Sequence, residues 1–529
     1  MLNIVLVAVN ARFTHTNPAL RAMRAYVRSK LRPSLTDGRL RISLVELTIN
    51  EPLSWLEDAL LKAAGDVYLF SAYIWNIEIV RKLCEAIKKG MPNVITGIGG
   101  PEVSYTAKEE LTRTPQADLV LCGEGEFTLY KMAEFLALSD RAETFQSAEK
   151  LDALTNELAR SIPGLIGREH TGPPPIQVPL DDIPYYWERG LPDLRHRMIY
   201  YESSRGCPFS CTYCLSSVET GIRYRSLELV LAELDQLSED EAMLVKFVDR
   251  SFNADTDRAL AIWRHLISAY RPGQRTTFHF EIEPNLLNEE ALRTLETAPD
   301  GLFQLEIGVQ TTDPEVLRVI RRHGDVRKIH EAVTRLRKAG NMHLHLDLIA
   351  GLPGESLAGI VKSFDDVMAM HPHALQLGFL KVLKGTAMEQ TARERGMRWR
   401  DNPPYEIIAS DALSFADLAL LKEIETLLDR YYNSGHHADI ILSLCEVRQS
   451  AFEFFHHFAD FCRGQHMIYG RFAKELAAAQ LYRFILSADE FFADRPEARA
   501  AIASEFEQKW RASVKRGVIG WDQFLEKFF

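Results

Sequence analysis

The 529-residue sequence has no long hydrophobic run, no block of like charge, no internal repeat and no low-complexity tract. Its apolar stretches fall short of the ~18 residues that span a bilayer, which argues against a membrane-spanning helix. The 62 Lys and Arg residues against 73 Asp and Glu residues give a net charge of −11, without a basic patch. Nucleic acid is therefore not a predicted partner. The apolar N-terminus lacks the basic flank of a secretion signal, so we expect a cytoplasmic protein.

Cysteine is scarce, and its seven copies are unevenly placed. Four are scattered, whereas Cys207, Cys211 and Cys214 lie within eight residues. An odd, clustered count in a long chain argues against a disulfide framework. The cluster instead favours metal or redox chemistry.

The rest of the composition is that of an ordinary globular protein, with 46% hydrophobic and 26% charged residues. Residues 1–140 alternate five apolar strand patterns with amphipathic helices, which predicts a parallel α/β unit. Residues 141–194 are rich in proline and predict a linker with short extended pieces. Residues 195–400 carry six further strand and helix units, which suit a partial or complete (β/α) barrel. The predicted fold class is α/β.

Residues 401–529 lose the strand pattern and predict an α-helical domain. Amphipathic patterns rich in Phe and Leu indicate helices over 407–428, 438–461, 473–486 and 496–512. The aromatic residues at 452–458 are expected to form core rather than a substrate pocket.

Cys207, Cys211 and Cys214 follow the first predicted barrel strand at Cys-x3-Cys-x2-Cys spacing. A structural zinc site normally closes with four ligands, and no fourth Cys or His follows at ligand spacing. Three thiolates leave one corner of a cluster open, as a substrate-binding cluster requires. An incomplete zinc knuckle or three buried cysteines is the alternative.

This motif, with an aromatic residue before its last cysteine, resembles the radical S-adenosylmethionine superfamily. The resemblance implies a 4Fe-4S cluster on the three cysteines, with S-adenosylmethionine bound to the open iron. It also implies that side chains at the strand ends contact S-adenosylmethionine. Tyr213 would pack against the adenine, Asp249 would accept a hydrogen bond from the amino group, and Arg322 would bind the carboxylate. The ribose or the amino group would bond to Glu283, Gln310 and Asp347. The alternative is that these side chains only cap strands and helices.

Two glycine-rich strand ends in residues 1–140 resemble the cobalamin-binding domain of cobalamin-dependent radical S-adenosylmethionine enzymes. Ligands bind at the carboxyl ends of such parallel strands. The resemblance therefore implies cobalamin contacts at Asn10, Tyr73, Asn76, Gly99, Gly100, Pro101, Glu102, Gly123, Glu124, Gly125 and Glu126. We expect the glycines to let the backbone approach a bulky corrinoid.

The Asp-x-His-x-x-Gly pattern that supplies a histidine to cobalt is absent from the sequence. His15 is a lone candidate in the wrong context and is expected to be an ordinary loop histidine. The lower cobalt face would then meet the loop 71–76 without histidine ligation. A degenerate domain that binds no corrinoid is the alternative. Methylthiotransferases of transfer RNA also resemble this layout, but they carry three additional cysteines and a basic tail.

The resemblance implies a cobalamin-dependent radical enzyme that methylates a carbon centre of a small molecule. Radical rearrangement, cyclisation or oxidation with the same cofactors is an alternative, as is a non-catalytic corrinoid-binding protein. An electron donor such as flavodoxin or ferredoxin is implied. The C-terminal region looks like the uncharacterised helical domain (DUF4080-like) of some such enzymes, and we expect it to cover the barrel mouth. No catalytic side chain, substrate or oligomeric state is assigned.

Overall fold

A computed structural model describes residues 1–31, 39–138, 145, 147–187, 197–218, 221–239, 242–470, 472–513 and 519–529. Two parallel sheets, each flanked by helices, are followed by a helical region. This confirms the predicted α/β class and the order of its parts. Within these ranges, no helix is both long and apolar enough to cross a membrane.

The first sheet has the strand order β2-β1-β3-β4-β5-β6 within the described residues. Its strands are β1 (Leu2–Asn10), β2 (Leu40–Thr48), β3 (Val67–Ser71), β4 (Ile95–Gly99), β5 (Leu119–Leu121) and β6 (Leu165–Ile166). The first five are parallel, as the alternation of patterns predicted. All nine residues of β1 are buried, because helices cover both faces of this sheet.

The helices of this unit are α1 (Pro18–Lys30), α2 (Leu53–Ala63), α3 (Ile77–Gly90), α4 (Ala107–Arg113), α5 (Gly125–Leu138) and α6 (Ala148–Ser161). They enclose one apolar cluster on each face of the sheet. The expectation of only short extended pieces after residue 140 is wrong for α6, whereas the two-residue β6 is such a piece. Leu151, Leu154 and Leu158 give α6 one apolar face, which packs into the first core, and β6 adds an antiparallel edge to β5.

The second sheet has the order β14-β13-β12-β11-β10-β7 among the described residues, and all its pairings are parallel. It is therefore a partial barrel. Its strands are β7 (Met198–Tyr201), β10 (Leu244–Phe247), β11 (Thr277–Ile282), β12 (Phe303–Gln310), β13 (His343–Ala350) and β14 (Ala374–Phe379), while β8 (Ser204–Cys207) and β9 (Gly221–Tyr224) form a separate antiparallel hairpin.

The helices around this sheet are α7 (Leu227–Glu239), α8 (Thr256–Ala269), α9 (Glu289–Glu296), α10 (Pro314–Val319), α11 (Val326–Ala339), α12 (Leu357–Met368) and α13 (Ala387–Glu394). Burial alternates along β12, so that Phe303, Leu305 and Ile307 pack under the helices while the residues between them face the barrel interior. This period of two places polar side chains inside the barrel.

The C-terminal region contains β15 (Arg398–Trp399), β16 (Ile407–Ala409), α14 (Phe415–Leu428), α15 (Ala438–Arg448), α16 (Ala451–Gly464), α17 (Lys474–Ser487), α18 (Pro496–Ser513) and α19 (Trp521–Phe528). The helix predicted from residue 407 is wrong at its start, because residues 407–409 pair with β15 and a capping box at Ser414 begins α14. The helix predicted over 438–461 is broken at Gln449, whose φ of 56° is left-handed.

The helical region shares one continuous core with the barrel. Phe364 of α12 contacts Phe452 and Phe455 of α16 edge to face. The Asn433 side chain accepts from the Leu375 N–H at 2.9 Å and donates to its C=O at 2.8 Å, as a neighbouring strand would. These contacts place the helices along the open edge at β14, so they cover a side of the barrel.

Candidate functional site

The three clustered cysteines lie on the hairpin of β8 and β9 and in the loop that joins the two strands. Cys207 is the last residue of β8. Gly206 has a φ of +102°, and a Cβ there would lie 2.2 Å from the Gly221 carbonyl oxygen. Only glycine fits, because a side chain would collide with the paired strand. The hairpin therefore requires glycine at position 206, directly before the first cysteine.

Local hydrogen bonds shape the loop that carries the other two cysteines. The Ser217 hydroxyl donates to the Cys211 carbonyl at 2.8 Å and to the Cys214 carbonyl at 2.6 Å. The Cys214 N–H donates to the Cys211 carbonyl at 3.2 Å, and Thr212 is bonded to the backbone of Ile320 and Met388. Hydrogen bonds to backbone groups fix the conformation of the loop. The thiols take no part in these bonds.

The surroundings of the thiols favour ligation. Cys207 Sγ lies 3.7 Å from Ser251 Oγ, and Cys211 Sγ lies 3.9 Å from Arg322 Nη1. Burial raises the pKa of Cys211, and the Arg322 guanidinium acts against that rise. Metal ligation requires thiolate, so a cation beside Cys211 assists it.

In the described ranges, no three His, Cys, Asp or Glu side chains come together closely enough to hold one metal ion. A 4Fe-4S cluster takes one thiolate on each iron, so three cysteines would leave the fourth iron open.

Arg322 and Glu283 form a buried pair next to the cysteine loop. Arg322 Nη2 lies 2.9 Å from Glu283 Oε2 and 2.5 Å from the Gly308 carbonyl oxygen. Glu283 Oε1 also accepts from Asn285 Nδ2 at 2.7 Å. Both side chains predicted to contact S-adenosylmethionine therefore already have protein partners, and they remain predictions.

Gln310 Oε1 is buried and has no hydrogen-bond partner among the described residues, whereas Asp347 Oδ1 lies 3.3 Å from His345 Nε2. Gln310 ends β12 with a φ of 72°, just after the pairing register shifts at Gly308. Buried polar atoms are nearly always bonded, so the Gln310 oxygen is available to a donor on a ligand. The ammonium and ribose hydroxyl groups of S-adenosylmethionine are donors. This part of the site fits that cofactor.

Asp249 and Tyr213 surround the base of the hairpin. Asp249 accepts from the Ser203 N–H at 2.9 Å, the Ser203 hydroxyl at 2.6 Å and the Ser204 hydroxyl at 2.6 Å. Burial raises the pKa of Asp249 to about 6, although these bonds oppose the rise. Its carboxylate thus anchors the start of β8. Burial also raises the pKa of Tyr213, which lies beside Arg322.

The barrel interior holds a charged group that the sequence interpretation did not single out. Lys246 Nζ lies 2.9 Å from Glu306 Oε2 and 3.6 Å from Glu281 Oε1, and His279 Nε2 lies 3.1 Å from Glu306. Burial alone would raise the pKa of Glu306, but His279 and Lys246 lower it to about 2. Polar residues at alternate positions of β10, β11 and β12 are the signal that could have found this group.

The first sheet presents its own residues at its carboxyl edge. Asn10 Nδ2 donates to the His15 carbonyl at 3.2 Å. Asn76 donates to the Val9 and Ser71 carbonyls and accepts from the Tyr73 N–H at 2.8 Å, so its amide is fully engaged in the loop. His15 Nδ1 lies 3.3 Å from the Tyr200 hydroxyl, consistent with an ordinary loop histidine.

Tyr73 stacks on Trp75 at 4.3 Å between ring centroids and 9° between planes. Trp75 remains 46% exposed at the carboxyl end of β3. Tyr73 is half-buried beneath it, so the Trp75 ring offers a flat apolar surface at this edge, which suits a large planar ligand. The edge therefore fits a corrinoid.

The glycine-rich run after β4 is shaped by protein contacts. Gly100 has a φ of +118°, and a Cβ there would lie 2.6 Å from the Ala72 carbonyl oxygen. Gly99 packs against Leu121, and Pro101 is exposed. Glu102 is 5% exposed, accepts from the Tyr405 hydroxyl and lies 3.5 Å from Lys384 Nζ. The conformation of the turn thus requires these glycines independently of any bound ligand.

The second glycine-rich run begins α5. Gly123 lies against Pro175 and Gly125 against Met23. Glu124 and Glu126 both face Arg205 of β8, at 2.8 Å and 3.0 Å. The two carboxylates thus join the first sheet to the cysteine hairpin.

Comparison with known proteins agrees with this geometry. Family models match the B12 binding domain at residues 4–133, the radical SAM superfamily at 201–367 and a protein of unknown function (DUF4080) at 393–505. The chain thus joins a B12 binding domain to a radical SAM domain. The same pairing of domains makes it similar to cobalamin-dependent radical S-adenosylmethionine enzymes. The predicted cofactors, a 4Fe-4S cluster, S-adenosylmethionine and cobalamin, are confirmed by these matches.

Similar proteins include methyltransferases. An uncharacterized methyltransferase PH0819 of Pyrococcus horikoshii is 26% identical over 54% of this chain and 59% of its own length. The cobalamin-dependent radical SAM methyltransferase TokK of Streptomyces tokunonensis is 26% identical over 60% of this chain and 46% of its own. The chain spans about half the length of these curated relatives. The structure of OxsB, a cobalamin-dependent S-adenosylmethionine radical enzyme, matches at a TM-score of 0.62 and 14% identity, covering 100% of this chain and 83% of that one.

Proposed function

We propose that the protein methylates a carbon centre of a small molecule, using a 4Fe-4S cluster, S-adenosylmethionine and methylcobalamin. The observation that carries the proposal is the direct contact between the cysteine hairpin and the carboxyl edge of the first sheet, where Arg205 meets Glu124 at 2.8 Å. The proposed sites for the two cofactor systems would thus lie on adjoining surfaces. Relatives described as methyltransferases support the reaction class.

Cys207, Cys211 and Cys214 would hold the cluster, and Gln310 and Asp347 would accept hydrogen bonds from S-adenosylmethionine. When bound, the cofactors supply a 5′-deoxyadenosyl radical and a methyl group on cobalt. The chain positions them: Asp249 anchors the start of the hairpin, and Arg322 places a positive charge beside Cys211. The stacked Tyr73 and Trp75 rings lie where the corrinoid would rest.

The substrate would enter the barrel interior between the two cofactors. The side chains that face this space are strongly polar: Lys246, His279, Glu281, Glu306 and His345. A buried charged surface of this kind binds polar groups better than hydrocarbon. A polar small molecule is therefore the proposed substrate class. A flavodoxin or ferredoxin in the cytoplasm is the proposed electron donor.

The test uses anaerobically purified, reconstituted full-length protein. Its absorption spectrum reports cluster and cobalamin together. Incubation with methyl-labelled S-adenosylmethionine and a set of polar metabolites should transfer label to one of them. A Cys211→Ala variant should lose both the cluster and the transfer, while Cys445→Ala, on a helix of the C-terminal region, should keep both. Label confined to methionine would contradict methyl transfer.

A further inference from the structure

Arg205 lies two residues before Cys207 and bonds to three carboxylates. Its guanidinium is 2.7 Å from Glu202, 2.8 Å from Glu124 and 3.0 Å from Glu126. Glu202 is a local partner on the same chain segment. Glu124 lies just before α5 and Glu126 in its first turn, both in the B12 binding domain. One arginine at the base of the cysteine loop therefore joins the two domains.

A second arginine on the hairpin repeats this contact. Arg223 of β9 is paired with Arg205 of β8 in the hairpin register, so two positive side chains stand next to each other. Arg223 also pairs with Glu124 and donates to the Val178 carbonyl at 2.9 Å. Like charges on paired strands repel each other, and Glu124 between them removes the repulsion. Both strands of the hairpin thus depend on a carboxylate from the other domain.

The network is largely shielded from water. The side chains of Glu124 and Glu126 are 11% and 4% exposed, that of Arg205 is 20% exposed, and that of Arg223, at the rim, is 32% exposed. Ion pairs with this little exposure are weakly screened, and removing one partner leaves the other charge uncompensated. These contacts are therefore able to hold two domains in one arrangement.

We propose that Glu124, Glu126, Arg205 and Arg223 form an interdomain clamp that positions the cluster hairpin relative to the corrinoid. They are positioning residues. The sequence resemblance implies that the glutamates bind cobalamin. In this proposal they instead act by holding the hairpin in place. The positioning role rests on the proposed function, whereas the ion pairs between the domains are independent of it.

The first test requires no cofactor. Hydrogen exchange of the full-length apoprotein is compared between wild type, Glu124→Gln, Arg223→Gln and the double variant. Each single variant should speed exchange in β8, β9 and the first turn of α5. The double variant should add little to Glu124→Gln, because that change already removes the pair with Arg223. The control is Lys88→Gln, which removes a 2.7 Å pair with Asp118 elsewhere in the same domain and should leave the hairpin unaffected. Unchanged exchange in both single variants would overturn the clamp.

The second test separates positioning from cobalamin binding. Cobalamin affinity is measured for both single variants, and the magnetic interaction between cob(II)alamin and the reduced cluster is measured by pulsed electron paramagnetic resonance. Both variants should keep the wild-type affinity within about twofold while the interaction broadens. A loss of affinity of about tenfold in Glu124→Gln alone would make Glu124 a cofactor ligand and overturn the proposal. If wild type binds cobalamin but methylates nothing, only the proposed function fails.

Discussion

The Tyr405 hydroxyl donates a hydrogen bond to the Glu102 carboxylate, which links the C-terminal region to the glycine-rich turn of the B12 binding domain. Tyr405 is 3% and Glu102 is 5% exposed. Burial raises the pKa of Glu102, and the bond from Tyr405 and the charge of Lys384 act against that rise. Arg113 adds a 2.6 Å bond to Asn402 nearby. The region matched to DUF4080 thus touches the turn that precedes α4.

The Tyr405→Phe variant should lower the free energy of unfolding. It removes the hydroxyl donor to a buried carboxylate, which costs about 1–3 kcal/mol. Chemical denaturation of the full-length protein measures the loss. Tyr469→Phe is the control, because Tyr469 is 63% exposed and should show little change. Equal losses in the two variants would show that the bond to Glu102 contributes nothing.

Asp249 should make the stability depend on pH. Folding raises its pKa from 3.8 to about 6, so the folded state keeps a proton that the unfolded chain releases between those values. The contribution of this group is full below about pH 4 and falls by about 3 kcal/mol as pH rises through 6. The difference in unfolding free energy between wild type and Asp249→Asn, measured as a function of pH, should show this decrease. Asp58→Asn, at an exposed position, is the control for the effect of the substitution itself.

Gln310→Met should weaken binding of S-adenosylmethionine to the reconstituted protein. It preserves the length of the side chain but removes the buried amide oxygen that has no partner in the protein. One lost hydrogen bond corresponds to about 1 kcal/mol, or roughly a fivefold change in affinity. Gln304→Met on the same face of β12 is the matched control. If both variants bind S-adenosylmethionine as tightly as the wild type does, Gln310 does not contact the cofactor.

Lys246→Met should destabilise the barrel, because Glu306 and Glu281 would lose their nearest ammonium group. The side chains of Lys246 and Glu306 are each 23% exposed, so a cost of about 1–3 kcal/mol is expected. The pKa of Glu306 should rise from about 2, since Lys246 lowers it. The double variant Lys246→Met with Glu306→Gln should recover part of the loss. Lys62→Met, 74% exposed, serves as the control.

The order of elements and the cysteine motif were predictable because both are local properties of the chain. A period of two or 3.6 residues identifies strands and helices without reference to the rest of the molecule. The same local reasoning failed at residues 407–409 and at Gln449. There, strand pairing with Arg398–Trp399 and a left-handed backbone override the apolar pattern that predicted helix.

The partners of charged residues were not predictable. Glu102, Glu124 and Glu126 share a glycine-rich context in the sequence and were all assigned to cobalamin. In the structure Glu102 meets Tyr405, 303 positions away, and Glu124 and Glu126 meet the cysteine hairpin. The polar alternation on β10, β11 and β12 marks the members of the charged group around Lys246, but not their pairing, because the three strands are adjacent only in the sheet.

By itself, the sequence determined the α/β architecture, because periodicity carries that information, and its resemblance to a known family indicated the cofactors. The tertiary structure alone decided which carboxylates remain available for a ligand and which hold domains together. That choice depends on which opposite charge reaches each carboxylate once the sheets have formed. Since the attraction between charges depends on separation and burial, it is determined only in the folded molecule.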